Sequence, residues 1–281
     1  MSKAVQHSDV THQYLRIKKR FPNVWCAGCG IGTVMGSIIR AVDFMEYKKD
    51  EVALVSGIGC SSRLPVYCDF NTLHTTHGRA LAFATGVKVA KPRLKVIVIT
   101  GDGDGLAIGG NHFIHACRRN IDITTILINN RIYGMTGGQF SPTTPSQANA
   151  TTAPYGNMEK AFDPATLAIA AGASYVARGT VYHVQQLDKL IIGGLQKRGF
   201  ALIEAFSNCH TYYGRLNKEG DAVAMLNWMK EHALPIKAAA ALPPEKREGK
   251  LLTGVLHDVE MAEYCDEYQK LVDRLQTKQE A

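Results

Sequence analysis

The sequence lacks the features that would place it in a membrane, in a secretory pathway or on nucleic acid. Its N-terminus has no apolar signal core, and no uninterrupted apolar run approaches the length of a membrane span. The formal charge of +7 is moderate, and the early basic cluster of Lys18, Lys19 and Arg20 has no interleaved aromatic residues. We therefore expect a cytoplasmic protein that contacts neither a membrane nor nucleic acid.

The composition also excludes a small disulfide-stabilised scaffold. The chain has only seven cysteines in 281 residues and no secretory signal, so the cysteines do not indicate a disulfide framework. A hydrophobic content of 46% is enough to bury a substantial core in one large domain. Cys68 and Cys265 have no partner at a recognisable spacing, and Cys117 is most simply a small core residue.

The clearest local pattern is a strand, a glycine turn, a helix and a second strand. Residues 95–100 form a β-branched apolar run, which predicts a buried strand, and the alternating Gly-Asp run 101–105 follows at once. Apolar residues at 106–119 have helical spacing, and 121–129 reads as a second buried strand. Open α/β sheets bind ligands at the carboxyl ends of their strands, which is where these polar residues lie.

This arrangement suits a divalent cation that holds a diphosphate. Mg²⁺ prefers an octahedral shell of oxygen ligands. The candidate ligands are the carboxylate of Asp102, the amide oxygen of Asn130 and the carbonyl of Ile132. A surface Asp-Gly turn with an unrelated Asn-Asn loop is the alternative, but the placement of both motifs at strand ends favours the metal site.

Four of the cysteines lie in glycine-rich or polar segments. Cys26 and Cys29 form a Cys-x-x-Cys pair, Cys60 lies in a Gly-Cys-Ser-Ser run, and Cys209 follows Ser-Asn. A pair with this spacing, taken alone, is typical of half a zinc site or of a redox dithiol. Four thiolates are what an iron–sulfur cluster requires. The cysteines by themselves leave all three possibilities open.

These motifs occur in the order found in the β subunits of 2-oxoacid:ferredoxin oxidoreductases, and the sequence resembles that family. The resemblance covers roughly residues 12–215 and includes the 101–130 unit, the run 130–139 and the His-Thr-Thr-His-Gly-Arg segment at 74–79. It implies a thiamine-diphosphate-binding α/β fold. Alternating helices and strands independently favour a mainly parallel sheet with helices on both faces.

The resemblance also implies an activity and a set of cofactors. The enzyme would oxidatively and reversibly decarboxylate a 2-oxoacid, with 2-oxoglutarate favoured, using coenzyme A and reducing ferredoxin, to give acyl-CoA and carbon dioxide. Thiamine diphosphate, Mg²⁺ and a 4Fe-4S cluster on Cys26, Cys29, Cys60 and Cys209 are the implied cofactors. The chain carries only the diphosphate-binding half of such a site, so we expect it to be inactive without a partner α subunit.

The expected site residues come from several separate segments. The cofactor-binding set is Gly59, Cys60, His77, Gly101, Asp102, Gly103, Asp104, Asn130, Ile132, Gly134, Met135 and Thr136. Arg63 and His77 are the candidate catalytic residues: a guanidinium suits a substrate carboxylate, and His77, like His74, could contact the diphosphate or an intermediate. Arg63 as an ordinary surface residue, and His74 or His77 as structural hydrogen-bonding residues, are the alternatives.

Other functions and the remaining organisation follow from the same patterns. The alternatives are a pyruvate-specific or broad 2-oxoacid enzyme, a non-redox thiamine-diphosphate decarboxylase or carboligase subunit, and a zinc-stabilised binding subunit.

Residues 133–157 are predicted to be a site-lining or partner-contacting loop. We expect a cofactor-binding domain at 1–219 and a helical C-terminal extension at 220–281, interrupted by a proline-containing segment at 242–250. Further helices are predicted at 31–44, 75–91 and 184–198, and further strands at 51–56, 174–177 and 200–206.

Overall fold

The computed structural model describes residues 7–16 and 22–280, so the basic cluster at 18–20 lies outside the described residues. The strands are β1 (Val52–Ser56), β2 (Asn71–His74), β3 (Lys95–Gly101), β4 (Ile123–Asn129), β5 (Ile132–Tyr133), β6 (Gln139–Phe140), β7 (Tyr175–Thr180), β8 (Ala201–Phe206), β9 (Ala233–Pro235) and β10 (Leu251–Asp258). The α-helices are α1 (His7–Gln13), α2 (Ile31–Phe44), α3 (Ala80–Ala90), α4 (Gly110–Arg119), α5 (Pro164–Ala170), α6 (Val184–Gln196), α7 (Ala222–His232), α8 (Ile236–Ala239) and α9 (Tyr264–Glu280).

Eight of these strands form one sheet in the order β2-β1-β3-β4-β8-β7-β10-β9. The six strands from β2 to β7 in this order are parallel to their neighbours. β10 runs antiparallel to β7 and parallel to β9. Parallel strands need crossover connections, and these place helices over both faces of the sheet. The predicted α/β fold with a mainly parallel sheet is confirmed.

The sheet separates two apolar cores. In β3, Ile97 and Ile99 belong to the core covered by α2 and α6, whereas Val96 and Val98 belong to the core covered by α3, α4 and α5. All four side chains are fully buried. Successive side chains of a strand point to opposite faces, so a strand covered on both sides must be apolar at every position. This two-sided burial explains the continuous apolar run at 95–100.

Most predicted elements are present, with shifted ends. The helix predicted at 106–119 is a π-helical turn at Asp104–Ile108 followed by α4. The helix predicted at 75–91 begins only at Ala80, because the preceding residues turn through Gly78, whose φ is 69°. A Cβ at Gly78 would lie 2.4 Å from the Cγ2 atom of Ile108, so only glycine fits there. The exposed edge strand β2 was not predicted.

The segment after residue 219 is not entirely helical, contrary to the sequence-based expectation. It contains α7, α8 and α9, but also β9 and β10, which extend the main sheet. β10 is exposed or half-buried at most positions and therefore lacks the apolar run that marks the central strands. The division of the chain at residue 219 stays a prediction. Across residues 7–16 and 22–280, none of the helices combines the length and apolar character required to cross a bilayer.

Candidate active site

A pocket, here called the central pocket, lies at the carboxyl ends of β1, β3 and β4. Every residue of the predicted cofactor-binding set lines it, together with Ile58, Ser61, Ile128 and Tyr133. Neighbouring parallel strands end at the same edge of the sheet, and this brings together loops that are far apart in sequence. The structure thus groups the predicted residues in one place.

Asp102 is buried beside this pocket, and one of its carboxylate oxygens is held by two hydroxyls. Ser141 Oγ and Thr143 Oγ1 donate to Asp102 Oδ2 at 2.5 and 2.6 Å. Burial raises the pKa of Asp102 to about 6, while the hydrogen bonds from the two hydroxyls oppose that rise. A divalent cation would stabilise the charged carboxylate that burial disfavours.

The Asn-Asn pair contributes one structural and one pocket-lining side chain. Asn129 donates to Glu204 Oε1 at 2.8 Å and accepts from Thr143 Oγ1 at 2.9 Å, so it supports the hydroxyl that holds Asp102. Asn130 lines the central pocket, and its Oδ1 accepts from the backbone N–H of Ile132 at 3.3 Å. This local hydrogen bond bends the chain sharply after β4.

The glycine turn after β3 packs tightly against the segment after β4. A Cβ at Gly103 would lie 2.3 Å from ring atoms of Tyr133. The Tyr133 hydroxyl donates to the carbonyl of Gly103 at 2.9 Å. Glycine at this position therefore permits a close approach of two site-lining loops, which is one of the uses of glycine expected from the sequence.

Asp104 borders the central pocket, but its carboxylate is engaged by the protein itself. Its Oδ1 lies 2.5 Å from His77 Nδ1 and accepts from the backbone N–H groups of Gly78 at 2.7 Å and Ile58 at 3.2 Å. Its Oδ2 accepts from Thr100 Oγ1 at 2.8 Å. The residue is only 3% exposed. Asp104 therefore joins the loops that follow β1, β2 and β3.

The structure separates the candidate catalytic residues. His77 lines the central pocket. Arg63 is exposed on the 3₁₀ helix Ser61–Val66 and is not among the residues that line the pocket. His74 is exposed on the edge strand β2, with its Nδ1 atom 3.0 Å from Ser56 Oγ. A catalytic role for Arg63 or His77 stays a prediction.

A second pocket, here called the cysteine pocket, brings together four residues that are far apart in sequence. Cys26, Cys29, Cys60 and Cys209 all line it. Burial, with smaller contributions from the neighbouring thiols, raises the pKa of Cys29 to about 12 and that of Cys60 to about 11. Thiols in such a site ionise readily only when positive charge is supplied to them.

The central pocket and the cysteine pocket share a wall. Cys60, Asn130, Gly134 and Met135 line both pockets. A Cβ at Gly134 would lie 3.5 Å from Cys60 Sγ and 3.7 Å from Cys209 Sγ, so the backbone passes directly beside two of the sulfur atoms. The two sites are therefore immediate neighbours.

The other cysteines are buried away from the cysteine pocket. Cys68 belongs to one apolar core, and Cys117 and Cys265 to the other, which confirms the prediction that Cys117 is a core residue. Within the described parts of the chain, no group of three or more His, Cys, Asp or Glu side chains is arranged to hold a metal ion.

Sequence analysis missed the residues that support the site from a distance. The hydroxyls of Ser141 and Thr143 hold Asp102, although they are far from it in sequence. The charged pair of Arg178 and Glu204 is also buried, with 2.7 Å between Arg178 Nε and Glu204 Oε2, and Glu204 in turn holds Asn129. In the sequence, the length and the Ser/Thr content of the 133–157 loop were the features that could have indicated these two hydroxyls.

The fold and the central pocket define a thiamine-diphosphate-binding protein. The family described as "Thiamine pyrophosphate enzyme, C-terminal TPP binding domain" matches residues 57–205. These residues include both the glycine turn after β3 and the Asn-Asn motif after β4, which is consistent with a diphosphate bound between them.

The chain is also similar to several named proteins. It is 50% identical to the 2-oxoglutarate synthase subunit KorB of Methanocaldococcus jannaschii over 266 residues, which cover 95% of this chain and 98% of that protein. It is 44% identical to the 2-oxoacid:ferredoxin oxidoreductase 2 subunit beta of Aeropyrum pernix over 188 residues, covering 67% of this chain and 61% of that one.

A solved structure agrees with these relatives. The 2-oxoglutarate:ferredoxin oxidoreductase from Magnetococcus marinus, with 2-oxoglutarate, coenzyme A and succinyl-CoA bound, matches with a TM-score of 0.83 and 33% identity. The match covers 94% of this chain and 90% of that one. This chain belongs to the family of 2-oxoacid:ferredoxin oxidoreductase β subunits, as its motifs predicted. It is an enzyme subunit that acts with a partner subunit, rather than a non-redox thiamine subunit or a zinc-stabilised binding subunit.

Proposed function

We propose that this chain is the thiamine-diphosphate-binding β subunit of a 2-oxoglutarate:ferredoxin oxidoreductase. With an α subunit, it converts 2-oxoglutarate, coenzyme A and oxidised ferredoxin into succinyl-CoA, carbon dioxide and reduced ferredoxin. The names of the KorB relatives and the molecules bound in the Magnetococcus marinus enzyme support this substrate. A pyruvate-specific or broad 2-oxoacid enzyme is the second candidate, supported by the general 2-oxoacid name of the Aeropyrum pernix relative.

The residues around Asp102 fit a Mg²⁺ ion that holds the diphosphate. Asp102 supplies a buried carboxylate, and Asn130 supplies an amide oxygen at the same edge of the sheet. Together with the carbonyl of Ile132, they form a set of hard oxygen donors of the kind that Mg²⁺ prefers. The hydroxyls of Ser141 and Thr143 fix the orientation of the Asp102 carboxylate.

The cysteine pocket fits a 4Fe-4S cluster. Such a cluster takes four cysteine thiolates, one at each iron, so its ligands surround a volume instead of meeting at one point. Cys26, Cys29, Cys60 and Cys209 all line the cysteine pocket, which supports this assignment. Bound iron would supply the positive charge that the thiols, with their raised pKa values, need in order to ionise.

Each part of the chain has a distinct task in this reaction. Thiamine diphosphate, when bound, supplies the electron sink that makes loss of the substrate carboxylate as carbon dioxide possible. His77, which lines the central pocket, would move a proton there. Arg63, if the partner subunit covers it, offers a planar guanidinium to a substrate carboxylate.

The wall shared by the two pockets is the observation that carries the redox assignment. Electrons released in the central pocket need an acceptor nearby. Gly134 lines that pocket, and a Cβ at this residue would lie 3.5 Å from Cys60 Sγ and 3.7 Å from Cys209 Sγ. A thiamine enzyme without redox chemistry has no need of cysteines at this position. Their placement beside the central pocket supports single-electron transfer to a cluster and then to ferredoxin.

Anaerobic purification of the complex with its α subunit tests the proposal. We expect stoichiometric iron and acid-labile sulfide, bound thiamine diphosphate and Mg²⁺, and ferredoxin reduction that is faster with 2-oxoglutarate than with pyruvate. The isolated chain should show no turnover. Zinc in place of iron, or a preference for pyruvate, would contradict the cluster or the substrate assignment respectively.

A further inference from the structure

The carboxylate of Asp104 is enclosed by protein on both oxygens. Three N–H groups, from Ile58, His77 and Gly78, lie around Oδ1, and the Thr100 hydroxyl donates to Oδ2. Gly57 approaches so closely that a Cβ there would lie 2.2 Å from Asp104 Oδ2. Asp102 differs, because the two hydroxyls that hold it both donate to the same oxygen.

We propose that Asp104 is a positioning residue that prepares His77 for proton transfer, and that it is not a ligand of the cofactor or its metal. This proposal rests on the proposed function, in which His77 faces the reacting molecule. It reassigns Asp104, which the sequence pattern had grouped with the cofactor-binding residues, to a task inside the protein.

The hydrogen bonds around Asp104 determine which nitrogen of His77 is available. A carboxylate can only accept, so the ring nitrogen Nδ1 carries the hydrogen that points to Asp104 Oδ1 at 2.5 Å. Nε2 is then the nitrogen left for a molecule in the central pocket, where it can take up a proton.

The same contacts fix the orientation of the imidazole ring. Asp104 Oδ1 binds both the side chain of His77 and the backbone N–H of the next residue, Gly78, so a single oxygen holds the ring and its own backbone. On another side, the His77 and Tyr133 rings meet edge to face, with centroids 6.1 Å apart. A positioned acid–base group transfers protons more efficiently than a freely rotating one.

A double-mutant cycle in the assembled complex tests this inference. Asp104→Asn keeps an acceptor for the three N–H groups and can donate to the Thr100 hydroxyl, so the fold is retained but the charge facing His77 is lost. We expect kcat to fall roughly tenfold or more, with the affinity for Mg²⁺ and thiamine diphosphate within about threefold of wild type. In a His77→Asn background, Asp104→Asn should lower kcat by less than about twofold further.

Two controls separate positioning from a general structural effect. Asp43→Asn also removes a partly buried carboxylate that accepts a hydrogen bond, from Tyr14, but it lies away from both pockets and should leave kcat unchanged. His77→Asn preserves a donor toward Asp104 while removing Nε2, so it should lower kcat roughly a hundredfold without lowering the melting temperature. This second variant tests the inference even if Asp104→Asn prevents assembly.

Each unfavourable result has a distinct meaning. A loss of thiamine-diphosphate affinity of about tenfold or more in Asp104→Asn would make Asp104 a metal or cofactor ligand and overturn the proposal. Additive losses of kcat in the double variant, or full activity of His77→Asn, would overturn it too. A wild-type complex that does not turn over 2-oxoglutarate contradicts the proposed function instead, and cofactor affinity still decides whether Asp104 is a ligand.

Discussion

Thr143 provides a sharp test of the proposal that the buried carboxylate of Asp102 holds a cation. The buried Thr143 hydroxyl shares its single hydrogen between Asp102 Oδ2, at 2.6 Å, and Asn129 Oδ1, at 2.9 Å. Thr143→Val nearly preserves the side-chain volume and removes these hydrogen bonds, together with the 3.2 Å contact between Thr143 Oγ1 and Ser141 Oγ. A hydrogen bond to a charged group contributes roughly 1.5–3 kcal/mol, and one unit of pKa corresponds to about 1.4 kcal/mol.

The expected consequence depends on pH. The pKa of Asp102 is raised to about 6 by burial, and the Thr143 hydroxyl holds it down, so the substitution should move this pKa upward toward neutrality. A proton then competes with Mg²⁺ for the carboxylate at pH 7. We expect the affinity for Mg²⁺ and thiamine diphosphate to fall about fivefold to tenfold at pH 7, and most of the loss to disappear near pH 8.5.

Calorimetric titration of the assembled complex at both pH values measures this effect. Thr85→Val is the matched control, because the Thr85 hydroxyl donates to a backbone carbonyl of α3, that of Leu81, and lies outside the central pocket. An affinity that is unchanged at pH 7, or reduced equally at both pH values, would refute the reasoning. The first result would mean that the hydroxyl does not tune Asp102, and the second that the substitution distorts the pocket.

Three further predictions concern other parts of the chain. Asp102→Ala should abolish most Mg²⁺-dependent binding of thiamine diphosphate while the fold survives, and wild-type affinity in a titration would show that the motif assignment is wrong. The anaerobically purified Cys209→Ser complex should lose or alter its cluster spectrum and reduce ferredoxin poorly, yet still bind thiamine diphosphate. Cys117→Ser, the control, should keep the spectrum. An unchanged spectrum in Cys209→Ser would remove Cys209 from the ligand set. Asp122→Ala should destabilise the chain by about 3–5 kcal/mol in denaturant unfolding, because the buried ammonium of Lys88, 2.6 Å from Asp122, then keeps the carbonyl of Leu94 but loses its carboxylate partner. A loss below about 1 kcal/mol would mean that Lys88 finds another partner.

The parts of this protein that depend on local chemistry could be predicted from its amino-acid sequence. The β-branched run before Gly101 needs burial on both faces, and the glycines that follow permit a tight turn, so the strand and its ligand-bearing end could be predicted. The second strand, which ends at Asn129, could be predicted in the same way. The order of the separate motifs, which include the 101–130 unit, the run 130–139 and the cysteine segments, supplied the family, which the relatives then confirmed.

The partners of the two aspartates could be read only from the tertiary structure. Asp102 and Asp104 lie in the same Gly-Asp repeat, but the chain brings Ser141 and Thr143 to the first and His77 to the second. These partners come from distant segments, and local sequence patterns do not specify which loops will meet at a sheet edge. β10 was not predicted for the same reason. Its place in the sheet depends on backbone pairing with β7 more than on an apolar run of its own.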